Sequence, residues 1–186
     1  MERRIRLALY EPDIPQNTGA ILRLAACLDV PVDIIFPCGF VWDDRRLRRS
    51  GMDYLAGVAL TRHDSWPAFL AAPERTGRLI LLTTRAALGH VDFMFQPGDT
   101  LILGRESEGA PEPVHRAAAA SVRVPMRAGM RSLNVAIAAG IVLGEALRQT
   151  GQYPAQTVTQ PLTQEVTQKV THGLTQTPVQ TRRRIP

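Results

Sequence analysis

Lysine is almost absent from this chain: Lys169 is the only one, and arginine supplies the rest of the positive charge. Cysteine is nearly as scarce. Cys27 and Cys38 match no metal-ligand spacing, and a chain of 186 residues buries enough core not to depend on one disulfide. His63, His90, His115 and His172 are scattered, with no H-x-x-x-H or C-x-x-C beside them, so no metal site is expected. Long apolar runs are missing as well. The longest, Val135–Gly144, is about half of the ~20 residues that span a bilayer. Met-Glu-Arg-Arg-Ile-Arg at the N-terminus leads into only a short apolar stretch, unlike a signal peptide. The expectation is a cytoplasmic protein without membrane contact.

The net charge of +5 is unevenly spread. Residues 151–186 hold Lys169, Arg182, Arg183 and Arg184 against Glu165 alone. Two clusters say more than the total. Arg45, Arg46, Arg48 and Arg49 fall together, and Arg116, Arg123, Arg127 and Arg131 lie in a stretch, Pro113–Gly144, that has no acid. Local basic surface is what binding to a phosphate backbone requires, although each cluster alone would also suit a solvated face.

Short β-type runs alternate with helical patterns. Ile5–Tyr10, Asp33–Phe36, Gly57–Thr61, Leu79–Thr83, Thr100–Leu103 and Ser121–Val124 read as strands. Helices are expected near Gly19–Leu28, Asp43–Ser50, Ser65–Ala71 and Pro111–Ala117, and a long one over Arg131–Thr150. This alternation predicts an α/β fold: a parallel sheet with helices on both faces. The last helix carries no charge between Arg131 and Glu145 and is apolar nearly all round, with small residues at Ala136, Ala139, Gly140 and Gly144. One side can pack on the sheet; the other asks for a second partner, for which a symmetric homodimer is the simplest choice.

The character changes near residue 153. Tetrads of the type Val-Thr-Gln begin at Val158, Leu162, Val166, Val170 and Leu174, interrupted by Pro161, Gly173 and Pro178. The reading is a domain over residues 1–153 and a Thr/Gln-rich repeat tail over 154–186, disordered and ending in a basic run.

Three segments carry candidate chemistry, each at the end of an expected strand. The first runs Glu11-Pro-Asp-Ile-Pro-Gln-Asn-Thr-Gly19 and on to Arg23: a stiff loop, a helix start at Asn17-Thr18-Gly19, and an arginine able to serve an anion there. The second, Gly104-Arg-Glu-Ser-Glu-Gly109-Ala-Pro111, has glycines spaced as in a phosphate loop. Ala-Pro stands where Lys-Ser/Thr is needed, so a Walker loop is excluded, and no G-x-G-x-x-G is present. What remains is a backbone-rich turn suited to close ligand approach. The third is Val124-Pro-Met126-Arg-Ala-Gly-Met-Arg131-Ser132-Leu133-Asn134, with Ser132 the expected N-cap of the last helix and Asn134 inside its first turn.

Taken in order, N-T-G-x-x-x-R, L-G-x-E-x-x-G-x-P and V-P-M-x-x-x-x-R-S-L-N resemble the three motifs of the SPOUT-class RNA 2′-O-methyltransferases. Leu-Tyr-Glu-Pro-Asp-Ile-Pro-Gln-Asn-Thr-Gly and Gly39-Phe-Val-Trp42 through Tyr54 are similar to the tRNA (cytidine/uridine-34-2′-O)-methyltransferase subgroup. The match covers about residues 5–153. It implies a deep C-terminal trefoil knot, which element counting would never suggest. It also implies S-adenosylmethionine as methyl donor, held by Leu82, Gly104, Val124, Met126, Ser132 and Leu133, and no metal. Arg23, Asn17, Glu106, Ser132 and Asn134 become the catalytic set, and the anticodon loop of tRNA becomes the substrate. Arg23 is implied either as base or, since a guanidinium stays protonated, as an electrostatic stabiliser of the forming alkoxide. Two alternatives stay open: methylation at another tRNA or rRNA position, and a catalytically silent RNA-binding module on the same fold.

Overall fold

The computed structural model describes residues 3–42, 57–73 and 77–155. The strands are β1 (Arg6–Tyr10), β2 (Val32–Ile35), β3 (Leu60–His63), β4 (Leu79–Leu82), β5 (Thr100–Leu103) and β6 (Ala120–Val122). The α-helices are α1 (Pro15–Cys27), α2 (Trp66–Ala71), α3 (Glu112–Ala117) and α4 (Val135–Thr150). The strands form one sheet in the order β3-β2-β1-β5-β4-β6, with every pairing parallel.

The near-continuous apolar strands are buried on both faces, as parallel strands must be. Alternate residues point to opposite sides. Leu7, Leu9, Ile34, Leu101 and Leu103 join Ile21, Leu22 and Ala25 of α1 and Val142, Leu143 and Leu147 of α4 in one cluster. Ala8, Ile35, Leu81 and Ile102 meet Phe69 of α2 and Val114 of α3 on the other side. The expected parallel sheet with helices on both faces is what forms, and each fully buried Leu or Ile contributes ~1.5–3 kcal/mol.

Three expectations are corrected. The third strand runs over Leu60–His63 rather than Gly57–Thr61. That shift places His63, whose Nε2 lies 2.8 Å from Asp33 Oδ1, beside a buried carboxylate that Arg6 grips through Nε and Nη2. A buried charge needs such partners, and the apolar-run reading of β3 did not account for them. The first helix begins at Pro15, not Gly19: proline presets the helical φ at the first position, so Asn17, Thr18 and Gly19 lie inside the helix. The last helix begins at Val135, and its N-cap is Asn134, not Ser132. Asn134 Oδ1 accepts from the backbone N–H groups of Ala136 (2.9 Å) and Ile137 (3.3 Å). The expected helix at Asp43–Ser50, the Arg45–Arg49 cluster and the repeat after residue 155 lie outside the described residues.

Candidate functional site

Chain order reverses direction across the sheet between β1 and β5: β2 and β3 lie on one side of this line, β4 and β6 on the other. In open parallel sheets, ligands bind at the carboxyl ends of the strands beside such a reversal. A cavity of about 530 Å³ opens there. That volume falls within the ~300–1,000 Å³ usual for small-molecule sites. Leu82 and Leu103, the last residues of β4 and β5, line it, as do Val124 and Met126 in the segment beyond β6.

The turn after β5 is closed on itself, with Arg105 N donating to Gly109 O at 3.0 Å and Gly109 N to Arg105 O at 2.8 Å. Gly109 has φ +73°, and a Cβ at Gly104 would lie 2.5 Å from the carbonyl carbon of Gly109. Only glycine at 104 allows this close return of the chain, which leaves main chain as the wall of the cavity. Thr83, Thr84 and Arg123 add further polar lining.

A hydrogen-bonded chain joins the three segments at one side of the cavity. Asn134, while capping α4 through Oδ1, donates from Nδ2 to Asn17 Oδ1 at 2.9 Å. Asn17 in turn donates from Nδ2 to Glu106 Oε1 at 3.1 Å. Because Pro15 starts α1 early, the Asn17 side chain is free of any capping duty and reaches across to the turn. Asp13 completes the chain: its N–H donates to Glu106 Oε2 at 3.1 Å, and its Oδ1 accepts from Glu106 N at 3.0 Å. The hydrogen bond from the Glu106 carboxyl holds Asp13 down at about 2, with Ser107 adding to the effect against its burial. Burial, then the Asp13 carboxyl, pushes Glu106 above the usual carboxylate range. One proton is therefore more tightly held at Glu106 than at an ordinary glutamate.

Of the residues expected from sequence, Leu82, Gly104, Val124, Met126, Ser132 and Leu133 line the cavity, and so do Asn17, Glu106 and Asn134. Arg23 does not; it is exposed on α1. Sequence reasoning missed Asp13, whose only local signal was an acid between two prolines. It also missed His115, on α3 just past the turn, which lies 3.4 Å from Arg85 Nη1 at the cavity rim. No group of three or more His, Cys, Asp or Glu is placed to hold a metal among the described residues. Burial pushes the Cys38 thiol up to about 11, which leaves it a poor nucleophile. No helix among the described residues is long and apolar enough to cross a membrane.

The family model described as the SpoU rRNA Methylase family matches residues 4–144. The tRNA (cytidine(34)-2'-O)-methyltransferase of Beijerinckia indica subsp. indica is 60% identical over 138 residues, covering 74% of this chain and 86% of that protein. A solved structure described as "Structural insights into the 2-OH methylation of C/U34 on tRNA" superposes with a TM-score of 0.73 at 40% identity, covering 79% of this chain and 96% of that one. The SpoU methyltransferase AviRb from Streptomyces viridochromogenes, in complex with the cofactor AdoMet, gives a TM-score of 0.68 at 26% identity, covering 80% and 61%.

Proposed function

The chain belongs to the SpoU rRNA Methylase family, and we propose that it transfers a methyl group from S-adenosylmethionine to the ribose 2′-oxygen of the tRNA wobble nucleotide, C34 or U34, in the cytoplasm. The observation that carries this reading is 60% identity across most of a tRNA (cytidine(34)-2'-O)-methyltransferase. The fold is that of the SpoU methyltransferase structures, and the glycine turn leaves main chain where a donor can lie close.

The donor supplies an electrophilic methyl on a cationic sulfur and departs as a neutral thioether. The protein's task is therefore to position the ribose hydroxyl and assist its deprotonation. Leu82, Gly104, Val124, Met126, Ser132 and Leu133 are the donor-binding residues in this reading. Asn17, Glu106, Ser132 and Asn134 form the polar wall that faces the ribose. Arg23, outside the cavity and exposed on α1, belongs to the RNA side, binding phosphate and stabilising the forming alkoxide.

A knot belongs to the same proposal. After β6, Arg123 pairs with the chain at Leu88 and His90 (3.0 and 2.9 Å) before the segment leads into α4. Passage of that segment through the loop makes the deep trefoil knot. A homodimer belongs to the proposal too. On α4, Val142, Leu143, Ala146 and Leu147 face the core, while Ile137 and Ile141 are 57% and 39% exposed, one turn apart. These two isoleucines leave an exposed apolar strip along α4 for the second copy.

The test is methyl transfer by the purified full chain from labelled S-adenosylmethionine to unmodified tRNA, with digestion to locate the label. Label on the ribose of nucleotide 34 is expected. Label elsewhere, or in rRNA only, contradicts the wobble assignment, and no label with intact donor binding points to a silent module.

A further inference from the structure

We propose that Asp13 is a positioning residue for methyl transfer: it grips the glycine turn from two sides and so holds Glu106 against Asn17. The inference rests on the functional reading above and adds a residue that none of the three motifs supplies.

Asp13 sits in the loop between β1 and α1, and all of its polar groups on this side are spent on one step of the turn. Its N–H reaches Glu106 Oε2 at 3.1 Å, and Oδ1 takes the N–H of Glu106 at 3.0 Å. Oδ2 takes the N–H of Ser107 at 3.3 Å and the hydroxyl of Ser107. The Nε of Arg105 stands 3.9 Å from the same oxygen, which offsets its charge. The loop is braced from behind. Gly39 N donates to Pro12 O at 2.9 Å, and a Cβ on Gly39 would fall 2.6 Å from the Cβ of Asp13. Asp13 can therefore neither retreat nor rotate freely.

The consequence falls on Glu106. With Oε2 tied to Asp13 and Oε1 to Asn17, its carboxyl has one orientation, and Asn17 is in turn linked to Asn134 at the start of α4. If Asp13 served only to staple two loops, its loss would cost stability. If it positions Glu106, its loss acts on turnover through Glu106. Asparagine at 13 separates the two: Oδ1 can still accept from Glu106 N, but an amide N–H₂ would face the Ser107 N–H, from which it cannot accept.

The experiment measures kcat, donor KM and thermal midpoint for full-length wild type, Asp13→Asn, Ser107→Ala, Glu106→Gln and the two double variants with Glu106→Gln. Asp13→Asn should lower kcat by about tenfold or more and change donor KM by less than about threefold, since sub-ångström misplacement acts on the reacting geometry. Ser107→Ala should lower kcat by about two- to fivefold at an unchanged midpoint, because it removes only one of the donors to Asp13. In the Glu106→Gln background, neither substitution should slow turnover further, as expected of residues acting through one group. Multiplicative losses, or an Asp13→Asn variant above half of wild-type kcat, would overturn the proposal. If Asp13→Asn fails to fold, Ser107→Ala alone and with Glu106→Gln decides it in the same terms. An inactive wild type overturns the functional reading and this inference with it; an active wild type with an indifferent Asp13→Asn overturns this inference alone.

Discussion

Asn134 and Asn17, 117 residues apart in the chain, are joined by a 2.9 Å hydrogen bond that ties the first turn of α1 to the N-cap of α4. Asn134 does two jobs with two atoms: Oδ1 caps the helix, and Nδ2 holds Asn17.

Aspartate at this position keeps the cap and loses the donor. Asn134→Asp should therefore fold with a stability within about 1 kcal/mol of wild type, whereas Asn134→Ala should lose roughly 0.5–2 kcal/mol. Both should lose methyl transfer by about tenfold or more. Urea denaturation beside turnover assays checks this. An Asn134→Asp enzyme with full activity would show that the link to Asn17 has no catalytic part.

Arg23 is expected to matter for RNA and not for the donor, because it stands outside the cavity. Arg23→Ala should bind S-adenosylmethionine with nearly wild-type affinity by calorimetry. Its turnover should fall below about a tenth of wild type, a loss above ~1.4 kcal/mol in transition-state stabilisation. Lysine should restore little, since the planar fork is gone. A large loss of donor affinity would place Arg23 in the wrong half of the site.

On α4 the two faces separate two kinds of failure. Val142 is fully buried, so Val142→Glu should cost several kcal/mol of folding stability by burying an unpaired charge. Ile137 is more than half exposed, so Ile137→Glu should leave the fold intact and cost dimerisation together with tRNA binding. Sedimentation and thermal melts distinguish them. A wild type that is monomeric and active at micromolar concentration contradicts the dimer.

The Asp13–Glu106 pair gives acid sensitivity a direction. Asp13 is held at about 2 instead of 3.8, so the folded state binds fewer protons than the unfolded chain between those values. Its contribution is present above the higher value and is lost as pH falls towards the lower. Glu106 is raised, so its contribution runs the other way, complete at low pH and lost as pH rises through its shifted value. Asp13→Asn should therefore show a shallower fall in urea midpoint from about pH 4 to pH 2.5 than wild type. Equal slopes would mean that Asp13 is not held in its ionised form by the turn.

The glycine turn was legible in the sequence because Gly104 and Gly109 follow a buried apolar strand, where only backbone can turn so tightly. Asn17, Glu106, Ser132 and Asn134 were legible as types of residue, through the order of their motifs. Their directions were not. Ser132 and Asn134 are both good caps, and which one caps depends on the path of the loop before α4, a tertiary matter. Asp13 offers only an acid between two prolines as a local signal, and the partner that gives it meaning lies 93 residues away. The face of α4 was hidden for another reason: a helix apolar on every side has no sequence stripe to separate Val142 from Ile137.

Methylation of one ribose is tested by mass-spectrometric mapping of tRNA from a strain lacking the gene. 2′-O-methylation at nucleotide 34 is expected to disappear, to return with the wild-type gene, and to fail to return with Arg23→Ala. Unchanged methylation at nucleotide 34 in the deletion strain, with loss at some other ribose, would contradict the wobble assignment.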